Sequence, residues 1–115
     1  MDGFSLAADL SAIKLAELAK SKDLDICKQV AQHPNSSPET LKELFKRFPV
    51  EVLNNPVLDL LVFENPNFYL ELYHSNRDCI DRYELPLFFL ESALNYDEYR
   101  FRLYVAKNEK LHYIF

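Results

Sequence analysis

Apolar residues recur along the chain at helical spacing, in short stretches cut by polar stops and prolines. Leu6, Leu10, Ile13 and Leu18 predict a first helix over 6–20, with Ser5 as N-cap and Lys20 and Lys22 near its negative end. A second runs from about Leu24 to Gln32. Asp23 caps it, Ile26, Cys27, Val30 and Ala31 form its stripe, and His33-Pro34 stops it, since proline cannot continue a helix. The clearest signal is Ser37 to Phe48. Ser37 is the N-cap, Pro38 the first helical residue, and Glu39 sits in the positive first turn. Leu41, Leu44, Phe45 and Phe48 then follow at i, i+3, i+4 and i+7, and Pro49 ends the helix.

Shorter pieces follow. Val50 to Asn54 allows one or two turns. Val57 to Glu64 is apolar on nearly all sides, which predicts a central, buried helix. Asn67 to His74, Arg77 to Tyr83, Leu85 to Leu94 and Asp97 to Lys107 complete the series, the last with Phe101, Val105 and Tyr104 on its apolar face. Few glycines and helical flanks weigh against reading Leu58–Phe63 or Phe101–Val105 as strands.

The stops repeat. Val30-Ala31-Gln32-His33-Pro34 recurs as Val52-Leu53-Asn54-Asn55-Pro56 and as Val62-Phe63-Glu64-Asn65-Pro66. A weaker echo is Val105-Ala106-Lys107-Asn108-Glu109. The common form is an apolar residue on the last turn, a polar stop, then proline opening the next element. Asn tolerates left-handed backbone, so it is expected to serve at these ends as Gly does elsewhere. Residues Asp23 to Leu44, with their V-A-x-H-P-x-x-x-P-x-x-L-x-x-L core, resemble one unit of the variant leucine-rich repeat of bacteria. The clearest units span 23–67, and 97–108 echo the family's helix without its proline. The resemblance implies units pairing an α-helix with a short 3₁₀ helix, stacked into a right-handed α-solenoid related to armadillo and HEAT repeats. The interval between stops falls from 22 to 10 residues after Asn55, and Phe and Tyr replace Leu and Ala. The expected fold is therefore all-α: one domain over 1–115, a short solenoid with an irregular, aromatic-rich C-terminal half. The founding member of that family carries an iron–sulfur cluster on a Cys-rich segment. This chain has only Cys27 and Cys79, so that cofactor does not carry over and none is expected.

Composition sharpens this picture. The 115 residues carry one Gly, which excludes glycine-rich phosphate loops. No signal peptide or transmembrane stretch is legible, and a reducing cytoplasm is the expected compartment. The net charge of −5 hides a pattern. Residues 1–47 are balanced, 48–99 hold ten acidic and two basic side chains, and 100–115 hold four basic and one acidic. Thirteen of sixteen aromatic residues lie at or after Phe63. The C-terminal half is thus acidic and aromatic. Its Phe and Tyr either fill a core, or some tyrosines (Tyr69, Tyr73, Tyr83, Tyr96, Tyr99, Tyr113) line a contact surface.

Candidate chemistry is sparse. His33 reads as a helix-end residue bonding carbonyls. His74 with Asp78 and Cys79 is the one metal-like spacing, but Asn76-Arg77 interrupts it and zinc asks for three or four ligands, so no metal is expected. Asp59 lies inside an apolar stretch, either on a solvated stripe or holding Arg77, Arg82 or a partner's Lys. Catalytic nucleophiles lack adjacent bases, so no enzyme is expected. The expected function is a protein-interaction module. Its candidate partner-binding residues are Asp59, Glu64, Tyr69, Tyr73, Arg77, Arg82, Tyr99, Arg100 and Arg102. The alternatives are a homo-oligomer formed through the apolar end Leu111 to Phe115, a fragment of a larger repeat protein, and, against the acidic charge, nucleic-acid binding through Arg100 to Lys110.

Overall fold

A computed structural model describes residues 6–96 and 98–107, with the side chains of all of these but 81, 93, 94, 100, 104 and 105. These residues are all-α, with no strand among them. The helices are α1 (Ala12–Leu18), α2 (Leu24–Ala31), α3 (Pro38–Phe45), α4 (Pro49–Leu53), α5 (Leu58–Glu64), α6 (Phe68–Ser75), α7 (Cys79–Arg82), α8 (Leu87–Glu91) and α9 (Tyr99–Ala106). A 3₁₀ helix, Ser92–Asn95, continues α8. The extents are 43 × 29 × 18 Å, those of a flattened, oblong body.

Local chemistry explains the best-defined starts. The Asp23 carboxylate accepts the Asp25 N–H at 2.9 Å, and the Ser37 hydroxyl accepts the Thr40 N–H at 3.2 Å. Each satisfies an N–H that the helix itself leaves open. Pro38 opens α3, and Leu41, Leu44, Phe45 and Phe48 are all buried. Pro49 both closes α3 and opens α4. Helix α2 packs on α1, α3 and α4; α3 packs on α4 and α6; α5 packs on α6, and α7 on α9.

The first helix departs from expectation. It starts at Ala12, capped by the Ser11 hydroxyl, which accepts the Lys14 N–H. Ser5 lies outside the described residues. Residues 6–10 are not helical because side chains of α2 and of the turn after it take their backbone groups. The Leu6 N–H donates to Gln29 Oε1, His33 Nε2 lies 2.8 Å from the Ala7 carbonyl, and the Asn35 amide donates to the carbonyls of Ala8 and Leu10.

The stops work differently from the glycine analogy. No described residue has a positive φ. Instead each stop opens a type I turn. The carbonyls of His33, Asn55, Asn65 and Asn76 accept the N–H groups of Ser36, Leu58, Phe68 and Cys79 at 2.9–3.2 Å. Val57, Asn67 and Asp78 have φ of −83° to −90° and ψ near 0°, as the third turn residue requires. Pro34, Pro56 and Pro66 therefore occupy the second turn position, which suits their fixed φ, and the next helix begins later. The turn at Asn76-Arg77-Asp78-Cys79 has the same geometry without a proline.

The asparagine and histidine side chains complete the device. The Oδ1 atoms of Asn55 and Asn65 accept the N–H two residues on, and His33 Nδ1 accepts that of Asn35. The free end of Asn55 reaches backward: its amide donates to the carbonyls of Ala31 and His33, 24 and 22 residues earlier, at 2.9 and 2.8 Å. Asn76 likewise donates to the carbonyls of Phe45 and Lys46 at the end of α3. Each buried carbonyl gains the partner it needs.

Helix α5 is not buried all round, as the sequence predicted. Leu58 and Leu61 point inward, but Leu60 is 54% and Phe63 84% exposed. The seven-residue helix is packed chiefly on α6, which covers one side only. The aromatic core lies further on. Phe89 contacts Phe45, Tyr69 and Phe101, with centroids 5.7–5.8 Å apart, and Tyr73 stacks on Phe101 at 4.5 Å.

Candidate binding groove

An open groove of about 830 Å³ runs between the α5–α6 corner and the end of α8 with its 3₁₀ extension. The turn at Asn55-Pro56 starts one wall, and Leu58, Asp59 and Val62 continue it along α5. Tyr69 on α6 forms the floor, and Phe88, Glu91 and Tyr96 form the far wall. The Tyr69 and Phe88 rings lie 5.9 Å apart, tilted by 49°. The Tyr96 hydroxyl donates to the Pro66 carbonyl at 2.7 Å, tying the far wall to the α5–α6 turn. Phe88 remains 45% exposed, so an apolar ring faces the opening.

Electrostatics follow from this lining. Burial pushes the Tyr69 phenol up to about 12, with the charge of Asp59 and then Tyr96 adding to it. The Tyr96 phenol is also raised, first by burial. Both therefore present neutral hydroxyls at neutral pH. A second hollow, about 320 Å³, lies between α6 and the start of α9. There Arg77 Nη2 lies 3.2 Å from His74 Nδ1, and His74 Nε2 lies 3.8 Å from the Glu98 carboxylate.

The residues expected to bind a partner divide between these places. Asp59 and Tyr69 meet in the groove. Arg77 and Tyr99 meet in the smaller hollow, where Tyr99 is 75% exposed. Tyr73 is a correction. It borders that hollow but is fully buried, because α9 stacks Phe101 on its ring. Tyr96, offered as a surface tyrosine, is buried too, while Tyr69 and Tyr83 are half-buried. Glu64, Arg82 and Arg102 are exposed and line neither cavity. Asp59 holds neither Arg77 nor Arg82; Arg77 turns to His74 instead. The Arg100 side chain, Tyr113 and the segment Leu111 to Phe115 lie outside the described residues.

Phe88, Glu91 and Asn95 belong to the groove but drew no attention in the sequence. Nothing local marks them, since α8 reads only as a short apolar helix. Cys27 and Cys79 are buried, and the Cys27 thiol donates to the carbonyls of Ala19 and Ser21. Among the described residues no three His, Cys, Asp or Glu side chains gather as metal ligands would, and no helix is long and apolar enough to cross a membrane. Comparison with family models, with curated proteins and with solved structures finds no match to this chain.

Proposed function

We propose that the chain is a non-catalytic protein-interaction module, built as a short right-handed solenoid of the variant leucine-rich repeat type and acting in the cytoplasm. The observation that carries the binding role is the groove itself: an open trough with an exposed aromatic ring, apolar walls and amides able to meet a peptide backbone. Supporting the repeat reading, the Asn55 amide bonds the preceding stop across 22 residues, joining equivalent helix ends of successive units. Supporting the non-catalytic reading, two kinds of side chain common in catalysis are engaged or enclosed. The His33 ring bridges Ala7 and Asn35, and both cysteines are buried.

Capture of the tagged chain's partner from its native lysate, followed by rebinding of that partner in purified form, tests the reading. The expected result is a complex that Phe88→Ala weakens at least tenfold while the variant stays folded by circular dichroism at the temperature of binding. Rebinding that no groove substitution alters overturns the groove as the surface, and absence of any specific partner overturns the module.

A second reading, self-association, is favoured by Leu60 and Phe63, two large apolar side chains exposed three residues apart on α5. Sedimentation should then show a dimer that Phe63→Asp disperses; a monomer at all concentrations removes this reading.

A further inference from the structure

Among the described residues, the charged side chains that line the groove are Asp59 and Glu91, and both are acidic. They belong to the stretch 48–99, in which ten acidic side chains stand against two basic ones. Asp59 is exposed and makes no ion pair or hydrogen bond with the described residues. Beside it the Tyr69 and Phe88 rings form a tilted aromatic pair.

We propose that the groove recognises a segment of a partner protein through one lysine or arginine side chain, whose charged head pairs with Asp59 and rests against the rings of Tyr69 and Phe88. This rests on the interaction-module reading and names the chemistry of its partner. The negative face of an aromatic ring attracts a cation, most strongly where water is partly excluded. A carboxylate beside the rings adds a Coulomb attraction that weakens less with salt in a half-enclosed trough than on an open surface. The effect of Asp59 on the Tyr69 phenol places its field on that same ring. The long aliphatic stem of Lys or Arg suits the apolar wall of Leu58 and Val62, while its head reaches the acid. Amides of Asn54, Asn67 and Asn95 supply donors and acceptors for the segment's backbone. The same charges repel phosphate, so a nucleic-acid strand is the wrong ligand for this trough.

The test uses the 115-residue chain and five hexapeptide mixtures, each fixed at one position as Arg, Lys, Gln, Leu or Glu, with the other positions equimolar in residues other than Lys and Arg. Amide chemical shifts are followed by NMR during each titration. The Arg and Lys mixtures are expected to move the amides of Asp59, Tyr69, Phe88 and Ser92, with the Gln, Leu and Glu mixtures at least tenfold weaker. Asp59→Asn, at an exposed position, should keep the fold and cost the Arg mixture about tenfold in affinity. Asp59→Lys should abolish the preference for Arg. A Leu mixture as effective as Arg, shifts confined to other surfaces, or an Asn variant that binds Arg unchanged each overturns cation recognition. The module reading fails separately, only if the native capture described above also returns no partner.

Discussion

The two ends of this molecule solve the same problem with different chemistry. From α2 to α4, small and branched side chains such as Val30, Ala31 and Val52 are packed to zero exposure, and the buried Asn55 amide ties the turn after α4 to the end of α2. From α6 to α9, large rings do most of the joining: Tyr69, Tyr73, Phe89 and Phe101 meet face and edge, and Asn76 alone among the stops there reaches back, to the end of α3. Asn65 shows the switch. Its amide does not reach a preceding helix end but donates to Glu71 on the helix that follows, where Lys42 also binds at 2.9 Å. The backward hydrogen bonds of Asn55 span 22 and 24 residues, whereas rings of different shape allow helices of four to eight residues to meet at irregular intervals.

The contrast breaks most visibly at Phe89. Phe89→Ala removes the ring shared by Phe45, Tyr69 and Phe101 and should cost about 3–5 kcal/mol in urea unfolding. If that variant does not fold, Phe89→Leu should remain folded with a loss of about 1–2 kcal/mol. A loss below about 1 kcal/mol for the alanine variant would show that rings do not hold the C-terminal half.

The second test compares two stops. Asn55→Ala takes a donor from the buried carbonyls of Ala31 and His33, the latter keeping the Ser36 N–H, removes the side-chain acceptor of the Val57 N–H, and should cost about 1–3 kcal/mol. Asn65→Ala loses only bonds at half-buried or exposed sites and should cost under about 1 kcal/mol. Equal costs would erase the distinction between the two regions.

How much of this was legible beforehand follows the same line. The caps Asp23 and Ser37, the α3 stripe and the helix-breaking stops were readable because each is decided within a few residues. The all-α class followed from them. Half of the groove was readable as well: Asp59 stood out as a carboxylate in an apolar run, and Tyr69 as one of several tyrosines. The rest depended on distant partners. Tyr73 looked like a surface residue until Phe101 covered it, and Phe63 looked like core because nothing local tells that α5 is covered on one side only. The backward reach of Asn55 has no local mark either, since its acceptors lie 22 and 24 residues away.

A smaller effect sharpens the comparison at the joints. Three of the four type I turns carry proline in second position, and the fourth carries Arg77. Asn76, at φ −153° and ψ 80°, has an extended backbone close to that of Asn65, at φ −137° and ψ 92°, which precedes Pro66. Arg77→Pro should therefore raise stability by about 0.4–1 kcal/mol by restricting the unfolded chain, measurable as a higher urea midpoint. A destabilised variant would show that the fourth joint is not equivalent to the others.

The smallest effect concerns pH. The hydrogen bond from Asn65, then that from Lys42, holds the Glu71 carboxyl below its ordinary 4.5. A depressed native pKa contributes stability that is present above 4.5 and lost as pH falls through the lower native value. Both partners of the ion pair are about a third exposed, so the contribution stays under about 1 kcal/mol. In Asn65→Ala the Glu71 titration, followed by carboxyl carbon NMR, should move back up toward the ordinary range; an unchanged titration would assign the shift to Lys42 alone.

The reach of Asn55 also decides which changes of length this chain survives. One residue inserted within α4 would turn Asn55 by about 100° around that helix and carry its amide away from both carbonyls. The spacing between these two stops is thereby fixed to the residue, and a change of length inside α4 is expected to remove both hydrogen bonds at once.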